Sequence, residues 1–366
     1  MKKSFVALAL AGAFSGAAQA QSAVEIYGVV DMGFVRETGD VPGLTNPTST
    51  TPTAHVAPGG NKLTSGAQSG TRLGFKGTED LGGGLKGLFV LETGIAADRG
   101  GFNQGNAAFA RQSFVGLQGN FGTLSLGRQY TPYFLALSQV GDPFASGMSG
   151  AAQNLMLAPF IQSTAAPGTS VVARPSQGIR MDNTLKYTSP IFNGISGEIA
   201  YGFGEVTGSN TAGRVISAAV GYSAKPANVR LAYYRANASS LTAPDATSSV
   251  MVTGNWDFGV AKIHAAYADS DELFNRKFRD YLIGASIPFG PHTVLLSYIF
   301  KDDRSSLNRD ASQLGIGYTY ALSKRTNIYA AWANIDNKRG AIYSVGNNSE
   351  TGTSDTAFNL GVRHMF

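Results

Sequence analysis

Four arginines flank the one long segment of the chain that shows no strand pattern. Arg72, Arg111 and Arg128 lie on predicted strands before this segment, and Arg180 follows it directly. An arginine side chain stays charged at any working pH and presents five N–H donors, so it binds and orients anions. If the segment turned toward these side chains, they would form a positive patch that favours small anions. The alternative for each arginine is an ordinary solvated or paired contact.

The long segment runs from Gln129 to Gly178 and carries one carboxylate, Asp142. Loops of this length inside a compact domain are usually functional or disordered. We predict that about residues 131–178 fold inward and narrow a channel, and the alternative is a disordered surface loop. We count Asp142 and the strand carboxylate Glu92 among the residues of this constriction, together with the four arginines.

No other group of residues has the spacing of a catalytic or metal site. The chain has no cysteine, no His-Glu-x-x-His stretch and no Gly-x-Ser-x-Gly stretch. Its histidines are isolated: His55, His264, His292 and His364. A hydrolase built on His264 and a serine is the remaining enzymatic alternative, although a lone strand histidine is more often a surface or lumen residue. We therefore predict no enzyme activity, no metal and no cofactor.

The first twenty residues have the organisation of a secretory signal peptide. Lys2 and Lys3 precede an apolar run, and Ala18-Gln19-Ala20 form a small-x-small cleavage site. The apolar run is too short for a stable membrane-spanning helix. We predict that residues 1–20 are removed on export, and the alternative is a buried N-terminal helix.

Composition argues against a nucleic-acid-binding protein and against disorder. Only 14% of the 366 residues are charged, compared with roughly 25% in ordinary soluble domains. Without Lys2 and Lys3 the chain has 27 basic against 24 acidic residues, a surplus too small to indicate nucleic acid. The 46 glycines are spread through aromatic and β-branched runs, which is typical of strands with turns and bulges.

From Val24 onward the chain divides into about sixteen units of alternating apolar and polar residues. In the last unit, for example, Phe358, Leu360 and Val362 alternate with Asn359, Gly361 and Arg363. The predicted strands lie near 24–36, 70–79, 84–95, 109–119, 121–130, 179–188, 194–206, 212–224, 227–237, 247–258, 259–270, 278–289, 291–302, 310–321, 325–336 and 356–366.

The joints between these units alternate between very short and long, which is typical of an up-and-down barrel in an outer membrane. We therefore predict an all-β fold for residues 21–366: a sixteen-stranded antiparallel transmembrane β-barrel with an inward-folded constriction loop. Sixteen strands enclose an aqueous channel, and inward-facing charges cannot form a packed core. Aromatic residues near strand ends, Tyr27 and Tyr130 among them, are expected in girdles at the membrane interfaces.

The chain resembles the general porins of Gram-negative outer membranes. The resemblance rests on the opening VEIYGVVD from Val24, on TRLGFKGTEDLGGGLKGLFVLE from Thr71, on RQSFVGLQGNFGTLSLGRQY from Arg111, on DNTLKYTSP from Asp182 and on the ending GVRHMF.

This resemblance implies a trimeric barrel in the outer membrane whose third external loop forms the constriction. The family's wall arginines match Arg72, Arg111 and Arg128, and its C-terminal assembly signal matches Phe366. Family members usually carry several carboxylates on the inward loop, whereas this segment offers only Asp142. The implied partners are copies of the same chain, outer-membrane lipid, the outer-membrane assembly machinery, and ions and small hydrophilic solutes.

We predict a water-filled channel for passive diffusion of ions and small hydrophilic solutes, weakly selective for anions. The first alternative is a substrate-selective channel in which the 131–178 loop binds one class of solute. A second alternative is a barrel that serves mainly as an adhesin or enzyme, since the external loops 37–69 and 337–355 are long and rich in Thr, Ser and Asn.

Overall fold

The computed structural model describes most of the predicted barrel. The described residues are 23–39, 41–42, 55–56, 60–104, 107–157, 178–239, 245–272, 276–306, 308–339, 341, 343–346, 352 and 354–366. The predicted signal peptide and residues 158–177 of the long segment lie outside this range. Within it, none of the helices is long and apolar enough to cross a bilayer.

Sixteen strands form one closed antiparallel sheet, as predicted. They are β1 Ala23–Thr38, β2 in two segments Gly60–Ser65 and Arg72–Gly82, β3 Leu85–Ala96, β4 Gln112–Gly119, β5 Gly122–Tyr130, β6 Arg180–Thr188, β7 Ile195–Gly202, β8 Val215–Ala224, β9 Ala227–Asn237, β10 Ala246–Asp257, β11 Lys262–Glu272, β12 Arg276–Phe289, β13 His292–Asp303, β14 Ala311–Ala321, β15 Thr326–Asn337 and β16 Thr356–Met365. Each strand pairs with its neighbours in the chain, and β16 closes on β1 from Val29↔Met365 to Thr38↔Thr356. Short additional pairs join Val41–Pro42 to His55–Val56 and add Gly101–Phe102 to β3.

Alternation along each strand separates an outer row of apolar side chains from an inner row. On β13 the outer residues Leu296, Tyr298 and Phe300 are 38%, 48% and 37% exposed, whereas Ser297 and Ile299 between them are buried. An apolar outer band is what a barrel needs in order to face hydrocarbon. The predicted apolar side therefore does lie on the outside of the sheet.

The interruption of β2 was not predicted. Both of its segments pair with β1, and residues 66–71 leave the ladder between them. The Asp31 carboxylate holds this excursion by accepting bonds from the backbone N–H groups of Gln68 and Ser69 and from the Tyr329 hydroxyl, at 2.5–2.7 Å. The assignment of residues 37–69 to a single loop is therefore wrong for 60–65, because the break left a strand segment of only six residues.

The long segment begins with helical turns inside the barrel. We call its described part, Thr131–Leu157, the inner loop. It contains helix α1 Pro132–Ala136, a π-helical turn Leu137–Gly141 and helix α2 Gln153–Met156. Thr131 caps α1, since its Oγ1 accepts a bond from the Phe134 N–H, and Pro132 occupies the first turn, where it costs no hydrogen bond.

The inner loop follows the inside of the wall around more than half of its circumference. It bonds or packs against the wall in this order: Tyr133 to Ser217 and Ser249, Val140 to Asn255 and His264, Pro143 to Gly284, Phe144 to Gly317, Met148 to Ala67, Ser149 to Asn359, and Gly150 to Ser297 and Gln313. The wall supplies small residues where the loop approaches closely. A Cβ on Gly317 would lie 2.6 Å from the Phe144 ring.

An apolar core fills the space between the inner loop and this part of the wall. Tyr133, Leu137 and Leu155 of the loop are fully buried, and they share one cluster with Met251 and Ile299 of the wall. Each such side chain contributes roughly 1.5–3 kcal/mol by leaving water. Along this arc the inner face of the wall therefore meets the packed inner loop and not water.

Candidate pore constriction

The Glu92 carboxylate on β3 is the centre of a buried network on the arc from β1 to β6. Its oxygens accept bonds from the Tyr27 hydroxyl at 3.0 Å and from Arg111 Nε at 2.8 Å, and Arg72 Nε lies 3.6 Å away. Glu92 is only 3% exposed. Gly74 of β2 lies between Tyr27 on β1 and Glu92 on β3, and because it has no side chain, the Tyr27 ring can lie across it to reach Glu92. The structure thus brings Arg72, Arg111 and Glu92 together.

Tyr130 extends this network to Arg180 and to the inner loop. Its hydroxyl oxygen accepts bonds from Nη2 of Arg111 at 2.7 Å and from Nη2 of Arg180 at 3.0 Å. The Arg180 guanidinium also lies 4.7 Å from the centre of the Tyr130 ring, in cation–π contact. The ring stacks on Phe134 of α1, with centroids 5.5 Å apart. We call Tyr27, Arg72, Glu92, Arg111, Tyr130 and Arg180 the arginine cluster.

Arg128 has a separate partner. Its Nε donates to the Ala110 carbonyl at 2.6 Å, and its Nη1 forms an ion pair with Asp182. Gly127 has a φ of +129°, and the strand opposite it bulges between Met181 and Thr184. Strict alternation along β5 would place Arg128 on the outer face with Leu124 and Leu126, and only an irregularity at Gly127 can turn it inward. The irregularity exists, but it places Arg128 on Asp182 and not in the arginine cluster.

Asp142, counted above among the residues of the constriction, lies buried within the inner loop and forms no exposed negative surface opposite the arginines. The side chain is 3% exposed and accepts bonds from the backbone N–H groups of Phe144, Ser146 and Ala152, each at 2.9 Å. Burial raises the pKa of this carboxyl to about 6, and the three backbone bonds act in the opposite direction. Its role is to hold the turns of the inner loop, since a carboxylate can satisfy several donors that have no other partner.

The charges around the cluster are unbalanced in favour of cations. The arginine cluster contains three guanidiniums, those of Arg72, Arg111 and Arg180, and one carboxylate, that of Glu92, which leaves a net charge of +2; the ion pair of Arg128 with Asp182 adds no net charge. The side chain of Arg72 is 25% exposed, whereas Arg111 and Arg180 are buried. A positive site of this kind can attract anions and order water.

Tyr27 and Tyr130 were predicted to lie in aromatic girdles, and the structure places both hydroxyls on charged partners instead. The prediction treated every aromatic near a strand end alike. The inward position of Tyr27 could have been inferred from its pairing with Gly74 on the next strand, because a glycine leaves room for a large side chain to cross. Arg180 and Tyr130 lie directly opposite each other on the paired strands β5 and β6, so their contact depends on the register of these two strands, which the sequence pattern did not give.

His264 anchors the inner loop and has no catalytic arrangement. Its Nδ1 bonds to the Val140 carbonyl at 2.9 Å, and its Nε2 lies 3.2 Å from the Ser286 hydroxyl. In a catalytic triad the imidazole nitrogen opposite the serine is oriented by a carboxylate. Here that nitrogen is bonded to a carbonyl of the loop.

Comparison with known proteins agrees with this architecture. The sequence profile of the Gram-negative porin family matches residues 7–340. The chain is 33% identical over 392 aligned residues to outer membrane porin protein 32 of Delftia acidovorans, and the alignment covers both chains completely.

Solved structures have the same fold. An anion-selective porin from Comamonas acidovorans superimposes with a TM-score of 0.77 at 28% identity, covering 94% of this chain and all of that one. OmpT of Vibrio cholerae, solved in a trimer form, superimposes with a TM-score of 0.63 at 15% identity, covering 94% and 99%. At that identity OmpT supports the fold alone. Because the family profile spans most of the chain and the barrel is closed, this protein belongs to the Gram-negative porin family and is a channel of the outer membrane.

Proposed function

We propose that this porin conducts small hydrophilic solutes with a weak preference for anions, and that its constriction lies between the inner loop and the arginine cluster. The observation that carries the proposal is the net charge of +2 around that cluster. The similarity to a porin described as anion-selective supports it.

The inner loop contributes no exposed charge to oppose these cations. Asp142 is the only acidic residue between Thr131 and Leu157, and it is buried. The arginine cluster therefore faces no negatively charged surface of the inner loop across the bore, and the electrostatic potential in the bore is positive. Such a potential raises the local concentration of anions, and the low-dielectric protein around the bore strengthens it.

The selectivity can be tested with Arg72→Gln and Arg180→Gln combined. Removing two of the three cations of the cluster is expected to lower the chloride-to-potassium permeability ratio, measured from the reversal potential in a salt gradient across a planar bilayer. Arg111 is left in place, because its loss would leave Glu92 buried without its closest cation.

Arg279→Gln is the matched control. Arg279 is an arginine with a carboxylate partner, Asp269, but it lies on the outer face of β12. The same loss of charge there should leave the reversal potential unchanged. An unchanged reversal potential in the double variant would contradict the proposal. Block of the wild-type current at low concentration by one solute class would favour the substrate-selective alternative.

Assembly as a homotrimer and a signal role for Phe366 are further parts of the proposal, supported by the resemblance of the chain to trimeric porins. The backbone of Phe366 exchanges two hydrogen bonds with Gly28 at 3.1 Å, and its ring covers that glycine. Phe366→Ala keeps both backbone bonds. It is expected to lower the amount of barrel in the outer membrane several-fold without changing single-channel conductance. Wild-type amounts of the variant in purified outer membranes would contradict the signal role.

A further inference from the structure

The outer wall carries an apolar groove on the side of the barrel farthest from the β1–β16 seam. The groove crosses β6 to β10 and has a volume of about 520 Å³. Most of the large side chains along it are strongly exposed: Tyr187, Ile199, Val220, Leu231 and Val250, at 37–54%. These residues belong to the outer row of their strands. The groove therefore opens to the surroundings of the barrel and not to the channel.

Two small residues create the depression. One cross-strand row on the outer face consists of Tyr187, Ile199, Ala218, Tyr233 and Val250. Ala218 is the only small residue in this row. In the next row Gly197 lies beside Val220. Gly197 and Ala218 are diagonal neighbours on β7 and β8, so the two gaps join into one cleft between larger apolar side chains.

The groove reaches the periplasmic end of the barrel on β6 and runs obliquely from there to Val250 on β10, which lies nearer the external end of its strand. It begins beside Tyr187 and Ser189, next to the short connection from β6 to β7, and short turns of outer-membrane barrels face the periplasm. The neighbouring turn from β8 to β9 carries an exposed lysine, Lys225. From Val220 down β8 to Lys225 the distance is about 17 Å at the usual rise of a strand.

We propose that this groove binds one acyl chain of a phospholipid, with the phosphate near Lys225. The surrounding wall is the membrane-facing surface of the barrel, so the groove is continuous with a surface that meets hydrocarbon. The periplasmic leaflet of an outer membrane consists of phospholipid, whereas lipopolysaccharide occupies the external leaflet. An apolar cleft that opens at the periplasmic side, where the neighbouring turn carries a cation, matches an acyl chain joined to an anionic headgroup.

The test is native mass spectrometry of the protein purified from outer membranes in mild detergent. The wild type is expected to retain an adduct with the mass of a phospholipid. Ala218→Leu fills the cleft and should lower the phospholipid-to-protein ratio by at least about tenfold, because it removes the apolar area that holds the chain. Ala265→Leu is the matched control, since Ala265 is exposed on the outer row of β11 away from the groove. It should keep the wild-type ratio.

Single-channel conductance shows that each variant is folded, because both substitutions lie outside the channel. An adduct with the mass of lipopolysaccharide, equal phospholipid ratios in wild type and Ala218→Leu, or no adduct on the wild type would each overturn the proposal. Lys225→Glu leaves the cleft intact and is expected to reduce retention. Unchanged retention in that variant would overturn the placement of the headgroup.

Discussion

Replacing Asp142 by alanine is expected to release the inner loop and to raise single-channel conductance. The carboxylate accepts bonds from Phe144, Ser146 and Ala152, all inside a buried loop. Each donor left without a partner costs about 1–3 kcal/mol, so the packed conformation loses several kcal/mol. Because the loop lies inside the barrel, loosening it widens the path. Planar-bilayer recordings and faster uptake of larger hydrophilic solutes measure the effect.

Asp142→Asn separates the loss of hydrogen bonds from the loss of charge. The amide keeps one acceptor oxygen, and we expect a conductance between those of the wild type and Asp142→Ala. Since Asp142 lies apart from the arginine cluster, neither variant should lower the anion preference in the way that the arginine substitutions do. Wild-type conductance in Asp142→Ala, with the protein folded, would contradict the role of this carboxylate as the anchor of the loop.

The second large effect is expected from Lys301→Met. Lys301 Nζ lies 2.8 Å from Asp280 Oδ1, and both side chains are fully buried on the inner side of β12 and β13. The ammonium also lies 4.6 Å from the centre of the Phe278 ring. Removing the cation leaves an uncompensated buried carboxylate, which costs about 3–5 kcal/mol. Unfolding by guanidinium in detergent, followed by tryptophan fluorescence, measures the loss.

The double variant Lys301→Met with Asp280→Leu is the control. It removes both charges and leaves apolar groups in their place, so most of the lost stability should return. Lys277→Met breaks an ion pair with Asp271 at 3.1 Å in which both side chains are more than half exposed, and it should leave unfolding unchanged. If Lys301→Met unfolds like the wild type, the buried pair does not stabilise this part of the wall.

The barrel could be predicted because it follows from local features of the amino-acid sequence. Strand alternation needs only the period of apolar residues, and the short and long joints between strands reveal which turns share an end. The same reasoning found the position of the long segment and the arginines around it. It missed residues 60–65 of β2, because the excursion at 66–71 is held by Asp31 and Tyr329 from other strands.

The side chains that meet inside the barrel depend on distant contacts. The amino-acid sequence by itself determined a closed sheet, an apolar exterior and four arginines beside one inward segment. Only the tertiary structure decided that Asp142 holds the loop, that Arg128 pairs with Asp182 and that two tyrosines join the cluster. The reason is physical: strand period sets the face of each side chain, whereas a hydrogen-bond partner is set by which strands and loops the closure of the barrel brings within 3 Å.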